Sequence, residues 1–402
     1  MNNIFLGFLF ILVAAVAGGC FGLQYRIMRK YTVEYASLLS MFFATIVVPL
    51  IVVSFVFPGW TEAMARAGWT TNLLVFGFGF AWGLGAITYA YGSNILGMAL
   101  AAAIIKGITI AVGSGIPLVR RRNDIAATDG GMDPRIVIIA GILLLLAGTW
   151  FAGRAGILRE KETGTENEEA PRDPTVAGGF IFGMFMCLVS GVLSASINLG
   201  YDWSQPLEDE MIRIVHEQNL AEEQESTDEQ KSTDAPNSTD EQHPTNEPKP
   251  AAEDGTVPAD GKDPLNGLAT LIRWMPAYLG GISALLIFMG GAMIKNGNWR
   301  NYFAVGSLRD CLIACSMGGV HFLAPIPYGI GAYYLNLAGQ ADLGTTIGWG
   351  INIGLALVVA AAIGFMTGEW KNASGRSRSS IFISIVVILL AIVVLAYGNS
   401  LA

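Results

Sequence analysis

Ten apolar stretches of roughly twenty residues, separated by short polar connections, run through this chain of 402 residues. A helix rises about 1.5 Å per residue, so roughly twenty apolar residues cross a hydrocarbon core about 30 Å thick. The helices of a soluble protein keep one polar face; most of these stretches have none. Charged residues make up 14% of the chain, against about 25% in a soluble domain. Mean hydropathy is +0.49. The predicted fold class is all-α integral membrane with ten transmembrane helices, over 4–25, 33–57, 72–91, 95–119, 135–151, 176–199, 268–294, 308–337, 343–367 and 380–397. The first stretch is read as a membrane helix rather than a cleaved leader, because no Lys or Arg precedes it and further spans follow.

The formal net charge of −8 misrepresents the spans. Between Tyr201 and Leu265 stand 18 acidic and 4 basic residues, so the rest of the chain is net positive, as suits loops beside a bilayer. The acidic insert, 203–264, is rich in Glu, Asp, Gln, Ser, Thr and Pro, and repeats Ser-Thr-Asp-Glu-Gln at 226–230 and 238–242. Such a composition buries too little apolar surface to offset its ordering entropy. It is predicted to be a disordered, tolerated insertion.

The spans divide five and five, residues 1–152 against 175–200 with 266–400. Five is odd, so the second set enters the membrane with the opposite orientation. Two such halves sharing a fold would be inverted repeats, a common plan of secondary transporters. Loop cations concentrate after the first, fifth, seventh and ninth spans, which favours both termini outside; Arg120, Arg121 and Arg122 oppose that bias.

Chemistry is sought in the polar exceptions. Lys106 lies near the middle of the fourth span, too deep to snorkel easily. A charge there costs about 2.5–3.5 kcal/mol or more, so it faces either a substrate cavity or a local water defect. His321 in the eighth span has an imidazole that titrates near neutral pH; a coupling proton and a plain core hydrogen bond both fit it. Glu34 and Glu369, near span ends, are further candidate proton carriers. Asp310 is better read as a helix-end interaction. Trp82, Tyr89, Asn94, Asn198, Trp349 and Asn352 could line a sugar site, where hydroxyls need paired donors and acceptors and C–H faces pack on rings; membrane-surface aromatic belts compete for some of them. Gly79 and Gly83 permit close helix approach. Pro325 and Pro327, followed by Gly329 and Gly331, mark the expected broken helix.

Other classes are disfavoured. Cys20, Cys187, Cys311 and Cys315 lie in or beside apolar segments without a second ligand pair, so they are read as structural thiols and no metal site is expected. A membrane enzyme needs a cluster of acid–base groups at one face. His216 and His243 fall in the insert, leaving His321 alone.

The stretch Trp82-Gly83-Leu84-Gly85 through Tyr89 and on to Leu96-Gly97-Met98 resembles the L-rhamnose–proton symporter family of the drug/metabolite transporter superfamily. Glu369-Trp370-Lys371-Asn372-Ala373 resembles its closing motif, and Trp349 and Asn198 fall where similar residues are expected. The resemblance covers nearly all the spans and omits the acidic insert. It implies two inverted five-helix halves and proton-driven uptake of a deoxy sugar or similar polyol across the bacterial inner membrane. Lys106 and His321 depart from it, standing where apolar residues are expected. The expected partners are therefore a sugar, a proton and the bilayer, with no cofactor, nucleic acid or obligate protein partner. The alternative reading is a carrier of another small metabolite within the same superfamily.

Overall fold

The computed structural model describes residues 2–20, 28–31, 33–125, 132–163, 179–233, 264–304, 306–338, 343–368 and 370–401. Among the described residues ten helices are long and apolar enough to cross a membrane, and no strand occurs. Span 1 is Asn2–Cys20, span 3 Gly68–Leu96, span 4 Met98–Arg120, span 5 Pro134–Thr163, span 6 Gly179–Trp203, span 9 Gly344–Met366 and span 10 Gly375–Leu401. Span 2 runs as Val33–Phe42 and Val48–Val56 around a π-helical turn, Phe43–Val47. Span 7 has its own π-helical turn at Leu286–Gly290, between Met275–Leu285 and Gly291–Lys295, and begins with Pro264–Ala269 and the 3-10 turn Thr270–Trp274. Large apolar side chains stand exposed around the bundle, among them Phe55, Ile181 and Met366, as hydrocarbon contact requires.

Span 8 breaks where its prolines predict. Leu308–Phe322 and Pro325–Ala338 are separate helices joined through Leu323 and Ala324. Pro325 has no N–H to continue the ladder, so His321 and Tyr328 come to lie on opposite sides of the break.

Packing follows close backbone approach. Span 3 lies along spans 6 and 7, span 4 along spans 5 and 6, span 1 along spans 8 and 9, span 2 along the first part of span 8, and span 5 along span 10. These pairs exchange when each span number is shifted by five: 3–6 with 8–1, 3–7 with 8–2, 4–6 with 9–1 and 4–5 with 9–10. At the 3–7 crossing a Cβ on Gly79 would overlap the Ala277 carbonyl, and one on Gly280 would overlap the Phe76 carbonyl. Only glycine permits that contact, which stands in for the hydrophobic driving force that lipid cannot supply between helices.

The acidic segment corrects the expectation of disorder over part of its length. Gln205–Thr233 is a helix following directly on span 6. Leu207, Met211 and Ile214, spaced four and three apart, form one stripe and are at most 2% exposed. They pack on Val53, Phe57 and Ala63, and Arg66 bridges Glu217 at 3.0 Å. Composition averaged over sixty residues hides a three-residue stripe. Residues 234–263 lie outside the described part.

Candidate functional site

Both described chain ends and the acidic helix lie at one face, here the terminal face; the loops around residues 30, 97, 300 and 370 lie at the opposite face. At the terminal face Asp202, at the end of span 6, is fully buried and bonds Arg120 at 2.7 Å and Arg121 at 2.5 Å, both from the end of span 4. It also accepts the Thr345 hydroxyl of span 9 at 2.6 Å. A second buried pair joins Arg273 of span 7 to Glu208 of the acidic helix at 2.7 Å. The Arg273 guanidinium donates to the Tyr201 carbonyl and lies 3.8 Å from the Tyr201 ring centre. Charges this deep persist only when paired and hydrogen-bonded. Together they form a clasp across spans 4, 6, 7 and 9. A cleft of about 400 Å³, lined by Thr70, Arg120, Asp202 and Asp209, abuts it from outside.

The opposite face is tied differently. Asp310 at the start of span 8 accepts backbone N–H groups of Arg29, Lys30 and Tyr31 at 2.9, 2.5 and 2.9 Å, the helix-end role its position suggests. The Tyr302 hydroxyl donates to the Tyr35 carbonyl and the Tyr31 hydroxyl to the Tyr302 carbonyl, each at 3.0 Å. Burial raises the Tyr302 and Tyr31 hydroxyls above the ordinary tyrosine value.

Beneath the terminal clasp lies a ladder of rings. Tyr201 meets Trp274 at 4.6 Å and Tyr328 at 5.6 Å, Tyr328 meets Trp349 at 5.7 Å, and Trp274 stacks on Tyr278 at 5.9 Å. Tyr278 contacts Phe322 edge-on at 6.3 Å. Beside Phe322 in the chain, His321 lies parallel to Trp82 of span 3, with ring centres 6.2 Å apart. The cluster therefore joins one span of the first set to spans 6, 7, 8 and 9.

The sequence-predicted residues distribute unevenly around it. Trp82, His321 and Trp349 are brought into or against the cluster. Trp349 donates its indole N–H to the Thr109 carbonyl at 3.1 Å. Asn198 donates to the carbonyls of Gly113 and Thr345 and accepts the Tyr328 hydroxyl at 2.5 Å, so its amide ties four helices together. Asn352, one turn beyond Trp349, has a buried Oδ1 without a partner among the described residues. Lys106 sits one turn from Thr109 and is half-buried. It makes no hydrogen bond or ion pair among the described residues. Tyr89 stands apart, packed on the group of Ala101, Ile105 and Cys187. Asn94 closes span 3 toward the opposite face; its side chain and that of Glu34 lie outside the described residues, as does Glu369 entirely.

Sequence reasoning missed Asp202, Tyr201, Trp274, Tyr278 and Tyr328. Arg273, an arginine inside the predicted span 268–294, is the available signal for the terminal clasp. The rings carry no signal of their own, since a buried ring and a lipid-facing ring read alike in an apolar run.

Ten apolar spans around a buried aromatic and polar cluster define a multi-pass helical membrane protein. The model of the L-rhamnose-proton symport protein (RhaT) family matches residues 1–217, more than half of the chain, and the chain belongs to that family. It is a family of symporters, not enzymes. The L-rhamnose-proton symporter of Yersinia pestis bv. Antiqua (strain Antiqua) is 27% identical over 212 residues, 52% of this chain and 58% of the relative. That of Escherichia coli (strain K12 / DH10B) is 26% identical over 210 residues, with the same coverage. The chain thus matches under two thirds of its relatives' length, and the match ends within the acidic helix, before spans 7–10.

Proposed function

We propose that this protein is a proton-coupled importer of L-rhamnose or a related small sugar across the bacterial inner membrane, working by alternating access. Membership of a symporter family supports the class, and the relatives named for L-rhamnose support the substrate. The observation that carries the site is the ring cluster between Trp82 of the first set and spans 6–9 of the second. Aromatic faces suit the C–H faces of a sugar, and a site between two sets of spans is where rocking of one against the other exposes it alternately. The exchange of packing pairs on a shift of five supports inverted halves of five spans. The buried terminal clasp is the closed side of such a cycle.

His321, stacked on Trp82, is the proposed proton carrier, and Lys106 a proposed substrate contact. Proton and sugar must then each raise the other's affinity, because linkage is reciprocal. Vesicles containing the protein should show alkalinisation of the medium on addition of L-rhamnose or a related deoxy sugar. Lys106→Ala should abolish uptake or change its selectivity. Transport of some other solute with no response to any sugar would overturn the reading. Undiminished, unaltered sugar uptake by a well-expressed Lys106→Ala variant would remove Lys106 from the site.

A further inference from the structure

We infer that the indole N–H of Trp274 and the hydroxyl of Tyr278 form the hydrogen-bonding end of the substrate site and receive two neighbouring hydroxyl groups of a neutral sugar. This rests on the sugar-transport reading above. Trp274 and Tyr278 are 3% and 2% exposed, and neither Trp274 Nε1 nor Tyr278 Oη has a partner among the described residues. Leaving such a group unpaired gives up its hydrogen bond to water with nothing in return, and each native case calls for an explanation.

The neighbouring polar groups show that this is not general to the cluster. Tyr201 donates to the Gly329 carbonyl, Tyr328 to Asn198, and Trp349 to the Thr109 carbonyl. Each ring whose polar atom has a tie serves the fold. The two without one stand four residues apart in span 7, one at the end of its 3-10 turn and one in the α-helix that follows, with their rings stacked. Unpartnered atoms also occur on Ser114, Thr346 and Asn352, on spans 4 and 9, but those side chains are not stacked in a pair. Around Trp274 and Tyr278 stand Tyr201, Tyr328 and Phe322, a lining for apolar sugar faces.

The chemistry of the pair selects its ligand. Indole only donates, whereas the tyrosine hydroxyl both donates and accepts. A sugar hydroxyl can satisfy either. Arg273, next to Trp274 in the chain, is already held by Glu208, so this end of the site offers no uncompensated charge to an acid sugar and suits a neutral polyol better. Trp274 also lies directly against Tyr201, the ring over which Arg273 is held. The bound hydroxyls would therefore sit just under the terminal clasp.

Equilibrium binding of L-rhamnose and its monodeoxy analogues to the purified full-length protein tests this. Tyr278→Phe should weaken the parent sugar about 10–100-fold, the scale on which sites that bond a hydroxyl discriminate. The loss should vanish for the one analogue that lacks the bonded hydroxyl, which a purely structural role would not produce. Trp274→Phe should behave likewise with an adjacent position. Because Tyr278→Phe removes a buried unpaired group, its melting temperature should hold or rise. Equal weakening across all analogues, unchanged affinity, or a marked drop in melting temperature would overturn the assignment. A wild-type protein that binds no sugar would instead overturn the transport reading, and this inference with it.

Discussion

The two membrane faces hold the same two sets of spans together with different materials. At the terminal face, Asp202 gathers Arg120, Arg121 and Thr345, and Arg273 takes Glu208. These are side-chain charges from separate elements; Asp202, Arg121, Arg273 and Glu208 are buried, and Arg120 closes the group from the exposed edge of the cleft. At the opposite face, Asp310 holds three backbone N–H groups, and the tyrosines around Tyr302 bond carbonyls. Charge pairs lose little until one partner is removed, and then lose much. The tyrosine hydrogen bonds are each worth about 0.5–1.5 kcal/mol and those to the Asp310 carboxylate about 1.5–3 kcal/mol, and with no second side-chain charge to strand they give way one at a time. The terminal clasp is therefore suited to two discrete states, shut or open, and the opposite one to gradual loosening.

The largest effect that would break this contrast is at Asp202. Replacing it with alanine leaves two guanidiniums without their carboxylate, one of them nearly inaccessible, and should destabilise the protein by about 3–5 kcal/mol. Thermal melting in detergent measures this; an unchanged melting temperature would mean that the arginines find another counter-charge. Next comes the acidic helix. Met211 is fully buried, so Met211→Ala should cost about 2–5 kcal/mol. A disordered insertion would lose nothing, and a null result would return this segment to that description.

The smallest effect is at the opposite face. Tyr302→Phe removes one bond, to the Tyr35 carbonyl, and should cost about 1 kcal/mol at neutral pH. Burial raises the Tyr302 hydroxyl, so the folded state holds that proton more tightly than the unfolded chain. The stability linked to it is fully present below the unfolded tyrosine value, about 10, and is lost as pH rises from there through the folded value. The advantage of the wild type over Tyr302→Phe should therefore shrink above about pH 10, while the Asp202→Ala deficit stays level. Parallel pH profiles for the two variants would show that the faces do not differ as described.

Much of this architecture is legible in the chain. The spans follow from apolar length, because a bilayer leaves backbone groups no partner outside a helix. The break in span 8 follows from Pro325, which cannot donate. The close 3–7 contact follows from the small residues around Gly79 and Gly83, although its partner, span 7, does not. The acidic helix was legible too, in the spacing of Leu207, Met211 and Ile214, but only when periodicity is weighed beside charge.

The candidate residues divide on the same line. Lys106 and His321 stand out because a polar residue in an apolar run is conspicuous. Trp274, Tyr278 and Asp202 do not. A ring in a span reads the same whether it faces lipid or a neighbouring ring, and an aspartate at a span end reads as a solvated loop charge. Their meaning depends on which helices meet and at what rotation. That is set by packing between spans far apart in sequence, and here it alone decided that Asp202 is a buried clasp, that Asn198 is a tie between four helices, and that two unpaired donors stand four residues apart in span 7.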